Sequence, residues 1–118
     1  MEKKVEEQYL FDFYGELLTD KQKQILEYYY YEDYSLAEIA EVMSVTRQGI
    51  FDVIKRTKSM METYEEKLGL VRRFLYSQKL IQKVQAEIRE LTDLEKFSDH
   101  RVQLLNMIDL LNKINEES

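Results

Sequence analysis

The chain has no cysteine, no proline and only three glycines. Without cysteine there is no disulfide, no thiolate metal site and no cysteine nucleophile. That absence fits a reducing compartment. Without proline, and with so little glycine, the chain lacks its main helix breakers and its main builders of tight turns. Hairpins have few places to form, and an all-α fold is expected. No apolar run approaches the roughly 20 residues that cross a bilayer. The opening Met1-Glu2-Lys3-Lys4-Val5-Glu6-Glu7 lacks the apolar stretch of a signal peptide. A cytoplasmic protein without membrane insertion is expected. No glycine-rich phosphate loop is present, which argues against nucleotide hydrolysis. His100 is the only histidine. A metal site needs several converging ligands, and a catalytic pair needs a partner base or nucleophile, which neighbouring Asp99 does not supply. His100 is read as a first-turn surface residue, and neither enzyme activity nor a cofactor is expected.

What the 118 residues do contain is charge and apolar periodicity. Hydrophobic residues make up 44%, normal for a globular domain. The formal net charge is −6, whereas a dedicated nucleic-acid binder is usually basic. Residues 1–34 hold 4 basic and 9 acidic side chains, residues 35–68 hold 5 and 6, and residues 69–118 hold 8 and 8. The first third thus carries most of the acidity.

The periodicity predicts a first helix from about Glu2 to Leu18, with Leu10, Phe13, Tyr14, Leu17 and Leu18 at i, i+3, i+4, i+7 and i+8. Thr19 and Gln22 form a capping-box pair for a second helix that buries Ile25, Leu26 and Tyr29. Tyr28 to Tyr31 are four adjacent tyrosines; on a helix they point four ways, so at least one faces water or a partner. Ser35 and Glu38 make a second capping box, before an inner stripe of Leu36, Ile39, Ala40 and Met43. Ser44-Val45 reads as a turn. Thr46 then caps a long helix to about Lys67 with inner positions Ile50, Val53, Thr57, Met61, Tyr64 and Leu68, and Gly69 is its stop.

Residues 1–68 are therefore read as a helical domain with a helix-turn-helix at about 35–58, and residues 69–118 as an antiparallel helical hairpin. In the hairpin's first helix, Leu70, Phe74, Ile81, Val84, Ile88 and Leu91 follow a heptad pattern. Its Arg72, Arg73, Lys79, Lys83 and Arg89 are broken by Glu87 and Glu90 and read first as a solvated face, with an RNA backbone track as the alternative. Thr92 to Phe97 reads as a loop and Ser98 as the cap of the last helix. There Leu104, Leu105, Met107, Ile108, Leu110, Leu111 and Ile114 cover an arc of roughly 220°, where about 100° suffices to lie on a core. A helix apolar over so wide an arc touches more than one surface, and a homodimer is expected.

A helix-turn-helix needs a capped first helix, a small residue where the helices cross, a turn ending on a cap, and a second helix that buries one face and shows the other. Ser35, Ala40, Thr46 and the Ile50/Val53 pair meet these needs. The segment from Tyr34 to Lys58 resembles region 4 of bacterial sigma factors. The chain as a whole, including Tyr9-Leu10-Phe11-Asp12-Phe13-Tyr14-Gly15-Glu16-Leu17-Leu18-Thr19 and Ser44-Val45-Thr46-Arg47-Gln48-Gly49-Ile50-Phe51-Asp52-Val53-Ile54, resembles the YlxM family more closely. These are small helix-turn-helix proteins of Gram-positive bacteria. The resemblance covers nearly the full length. It implies an accessory role in the signal recognition particle pathway, with the particle's RNA or its GTPase as partner.

Carried onto the reading helix, the outward positions are Arg47, Gln48, Gly49, Phe51, Asp52 and Lys55, with Arg56 and Lys58 following. Arg47 and Gln48 suit base or phosphate contact, Lys55, Arg56 and Lys58 suit the backbone, and Phe51 suits a thymine methyl or stacking. Gly49 offers nothing to a groove, and Asp52 repels phosphates. From Thr46 to Lys58 the net charge is only +3. Two readings stay open: a regulatory protein that binds DNA or RNA, and a non-catalytic scaffold whose outer face binds protein.

Overall fold

The computed structural model describes residues 3–93 and 100–117. Among them there are six α-helices, one 3-10 turn and no strand. The chain divides into two compact units, Met1–Val71 and Arg72–Ser118.

In the first unit, α1 (Lys3–Tyr14), α2 (Asp20–Tyr30) and α3 (Leu36–Met43) pack on α4 (Arg47–Leu68). The core consists mainly of Phe11, Tyr14, Ile25, Leu26, Tyr30, Ile39, Ile50 and Met61. Both expected capping boxes form. Thr19 Oγ1 accepts from Gln22 N while Gln22 Oε1 accepts from Thr19 N, and Ser35 with Glu38 repeats the pattern. Each box satisfies helix-end donors that otherwise lack partners.

Three expectations for this unit are corrected. The first helix ends at Tyr14, and a 3-10 turn, Gly15–Leu17, follows. Gly15 is buried under the Phe11 ring, so the chain tightens there. Leu17 is left 57% exposed, while Leu18 reaches the core from extended backbone. Second, Tyr30, not Tyr29, is the buried member of the tyrosine run, resting against Phe11. Third, the buried stripe of α4 is Ile50, Ile54, Thr57 and Met61; Val53 is half-buried and Leu68 exposed. At about 100° per residue, Ile54 lies closer than Val53 to the line through Ile50 and Met61, so Ile54 takes the inner position.

Burial first, and then the charge of Glu7, which accepts from its hydroxyl at 3.0 Å, raises the Tyr30 phenol far above the usual value. Burial, and then a hydrogen bond to Asp12, pushes Tyr31 to about 12. In the unfolded chain both phenols ionise near the ordinary tyrosine value of about 10. The fold therefore holds protons that the unfolded chain has lost, and stability falls as pH rises above about 10. The expected result is a melting temperature that declines as pH rises above about 10. Tyr30→Phe should shallow the decline, and an unchanged slope in that variant would contradict the assignment.

In the second unit, the part of α5 (Leu70–Asp93) from Arg72 onward pairs with α6 (Arg101–Glu117). Here too the expected face is corrected. Gln85, Ile88 and Thr92 are buried, while Val84 and Leu91 are exposed. The Gln85 amide explains the rotation: its Nε2 donates to Ile108 O at 3.3 Å and to Asn112 Oδ1 at 2.7 Å. Thr92 is helical and donates to Ile88 O. Residues 94–97 of the expected loop, and the Ser98 cap, lie outside the described residues. On α6 only Ile108 is buried among the apolar residues; Val102, Leu105, Met107, Leu110 and Ile114 remain exposed.

Candidate nucleic-acid interface

The interface is built on the α3–α4 pair. α3 stops at Ser44, which takes the left-handed conformation at φ 57°, ψ 44° and turns its N–H back to α3 carbonyls. Val45 N donates to Ala40 O at 3.0 Å. Thr46 then caps α4, its Oγ1 accepting from Gly49 N at 3.0 Å. A Cβ on Gly49 would lie only 3.1 Å from that oxygen, tighter than ordinary contact. Gly49 thus has a role the sequence reading missed: it keeps the cap close. Ile39 and Ala40 on α3 and Ile50 on α4 are buried, which fixes the angle at which α4 emerges.

The face that α4 shows carries Arg47, Gln48, Phe51, Asp52, Lys55 and Arg56, all exposed. Asp52 is tied within its own helix: Gln48 Nε2 donates to its carboxylate at 3.1 Å and Arg56 Nε to its backbone carbonyl at 3.4 Å. Lys58 stands apart from the others. It is half-buried and paired with Glu7 at 2.7 Å, and that hydrogen bond raises its pKa. Arg47 and Lys55 form no ion pair with any described residue.

Folding adds two cations that the sequence reading did not assign to this site. The first turn of α1 brings Lys3 and Lys4 to the α4 face, where they rim a cavity of about 530 Å³ together with Lys55 and Lys58. Leu36, Phe51, Ile54 and Tyr29 line it, and Glu7 sits among the lysines. The Lys4 ammonium lies 5.0 Å from the centre of the Tyr29 ring and 3.1 Å from Asp33. On the other side of Phe51 is a second hollow of about 380 Å³, lined by Leu36, Arg47, Gln48 and Phe51. The only sequence signal for the α1 contribution is the Lys3-Lys4 pair inside an otherwise acidic segment.

Comparison with known proteins agrees with this architecture. Residues 1–105 match the model of family UPF0122, described as "Putative helix-turn-helix protein, YlxM / p13 like". The chain is 46% identical over 100 residues to a UPF0122 protein of Listeria innocua, covering 85% of this chain and 91% of that one. To a UPF0122 protein of Oceanobacillus iheyensis it is 48% identical over 101 residues, covering 86% and 91%. To one of Halalkalibacterium halodurans it is 41% identical over 111 residues, covering 94% and 98%. With the helix pair in place and the match running through it, the chain belongs to the UPF0122 family of YlxM- and p13-like helix-turn-helix proteins.

Proposed function

We propose that this chain is a nucleic-acid-binding regulatory protein that uses the first half of α4, and that it acts as an accessory factor of the signal recognition particle pathway. The observation that supports this most is the convergence of Arg47 and Lys55 with Lys3 and Lys4 from α1 on one side of the helix-turn-helix. Each phosphate contact releases roughly one counterion, so Arg47, Lys55 and Lys3, with Lys4 exchanging exposed Asp33 for a phosphate, suit modest affinity with strong salt dependence. The pathway role rests on the family resemblance.

Fluorescence anisotropy with signal-recognition-particle RNA and with a mixed-sequence DNA duplex, at low and near-physiological salt, tests the proposal. Four contacts predict a loss of affinity of about 50- to 150-fold between about 50 and 200 mM salt. Arg47→Ala should weaken binding about tenfold and lower the salt slope by about one. If neither nucleic acid binds at low salt, the reading fails. The scaffold reading, with a protein such as the particle's GTPase on the same face, then takes its place. One observation favours that scaffold: apolar Phe51 is 46% exposed at the centre of the face.

The second unit fits self-association. Val102, Leu105, Leu110 and Ile114 are exposed on α6, and Val102 is 74% exposed. Residues 69–118 have balanced charge, so two copies meet there without the repulsion that the chain's net −6 would otherwise impose. A homodimer through this hairpin doubles the cations offered to a nucleic acid. Sedimentation equilibrium should give twice the chain mass at micromolar concentration, with Leu110→Glu returning it to the monomer. A monomer for the unsubstituted chain at high micromolar concentration would remove this part of the proposal.

A further inference from the structure

We infer that the lysine-rimmed cavity beside Phe51 takes an unstacked nucleobase, so that the chain selects single-stranded or looped nucleic acid over uninterrupted duplex. The inference rests on the proposed function and names its ligand class. Its first support is shape: a cavity of about 530 Å³ has the size of a small-ligand site, typically about 300–1,000 Å³. Its second is chemistry. Phe51, Tyr29 and Leu36 line the cavity together with Lys3, Lys4 and Lys55, and Glu7 lies among them paired to Lys58. The Lys4 ammonium stands over the Tyr29 ring at 5.0 Å, which leaves Phe51 as the ring open to a base. An aromatic wall beside ammonium groups matches a base and its phosphate, and stacking accepts any base because every base has a π-face.

The same residues fit a duplex groove poorly. Where a groove reader needs long polar side chains, α4 presents Gly49, Phe51 and Asp52. A carboxylate at that place meets either phosphates, which it repels, or base edges, of which only the amino groups of cytosine and adenine donate to it in the major groove. A duplex holds its bases stacked and cannot place one against Phe51 without paying to unstack it. A single strand has its bases already free, and it can turn its phosphates toward the lysines and away from Asp52. An acidic amphipathic peptide shares the negative charge and the apolar content, but its aliphatic side chains do not stack on the exposed Phe51 ring.

The test uses the full chain and two labelled probes, a uridine strand of about 12 nucleotides and a DNA duplex of equal length, at about 50 mM salt. The strand should bind at least about tenfold tighter than the duplex, and Phe51→Ala should weaken strand binding by about 5- to 150-fold, the range for loss of one stacked base. Phe51→Trp should preserve strand binding and, since the chain has no other tryptophan, show quenched fluorescence on saturation. Phe51 lies outside the buried core, and far-UV circular dichroism checks that each variant folds. Duplex binding equal to or tighter than strand binding, or an unchanged strand affinity in Phe51→Ala, overturns the base pocket and leaves the proposed function standing. No binding of either probe overturns the base pocket, and if signal-recognition-particle RNA also fails to bind at low salt the proposed function falls with it; tight binding of an acidic helical peptide in that case assigns the cavity to protein.

Discussion

Replacing Ile50 with alanine should cost the Met1–Val71 unit about 2–5 kcal/mol, the range for truncating a fully buried aliphatic side chain to alanine. Ile50 is fully buried in the first turn of α4, as is Ile39 on the facing helix, with Ala40 beside it. A cavity here cannot be filled by a small shift, because the Ser35 box and the Thr46 cap hold both helix starts in place. Domains of this size have total stabilities of about 5–15 kcal/mol, so the loss is a large fraction of the whole. Thermal unfolding followed by circular dichroism should show a fall of at least about 10 °C. Val53→Ala is the control: Val53 lies one residue off the buried stripe and is half-buried, so its truncation should cost less. If the two variants melt together, the α3–α4 crossing is not where this unit is held. Nucleic-acid binding should fall with Ile50→Ala only as far as the folded fraction falls, which separates it from Arg47→Ala.

Tyr14→Phe is the second large effect, at about 1–3 kcal/mol from removal of one hydroxyl. Tyr14 is completely buried. Its hydroxyl donates to Glu65 Oε1 at 2.6 Å and accepts from the backbone N–H of Leu70 at 3.3 Å. The same carboxylate oxygen accepts from Val71 N at 3.0 Å. Two side chains 51 positions apart therefore satisfy the first N–H groups of α5, just after Gly69 closes α4 in a left-handed cap at φ 63°. Without the hydroxyl, Glu65 loses a charge-assisted partner and Leu70 N–H loses its acceptor. Bonds to charged groups contribute about 1.5–3 kcal/mol, more than bonds between neutral groups. Chemical denaturation with an unchanged slope and a lower midpoint is the expected readout. Tyr64→Phe, at a half-buried position, should change the midpoint little.

Much of this architecture was legible because its signals are local. A capping box needs four residues, and both boxes, the Thr46 cap and the Gly69 stop could be read without any tertiary knowledge. The exposed residues of α4 were legible for the same reason: once the cap and Ile50 are placed, the helix period sets the rest. What was not legible depends on partners distant in the chain. Lys3 and Lys4 reach the site only because α1 packs on α4. Lys58 was assigned to the backbone of a nucleic acid, yet Glu7 of α1 holds it. In the second unit, heptad counting favoured Val84 and Leu91 because it counts only apolar residues. A buried glutamine that bonds across to Ile108 and Asn112 carries no hydrophobic signal, and it turned the helix to a different face.

The capped starts of α2, α3 and α4 also bear on how quickly the first unit forms. Each of these helices has its first residue specified by a side chain no more than three positions away, so each can begin without waiting for a distant segment. Three of the five helix pairings in the unit then join neighbours in the chain, α1 with α2, α2 with α3 and α3 with α4; α2 with α4 skips one helix, and α1 with α4 is the longest-range of them. Loops between near neighbours cost little entropy to close. Helical domains with such short-range connectivity fold in about microseconds to milliseconds. The capped helix starts and near-neighbour pairings thus favour rapid formation of the unit, with the closure of α1 onto α4, which brings Lys3 and Lys4 to the face, spanning the most chain.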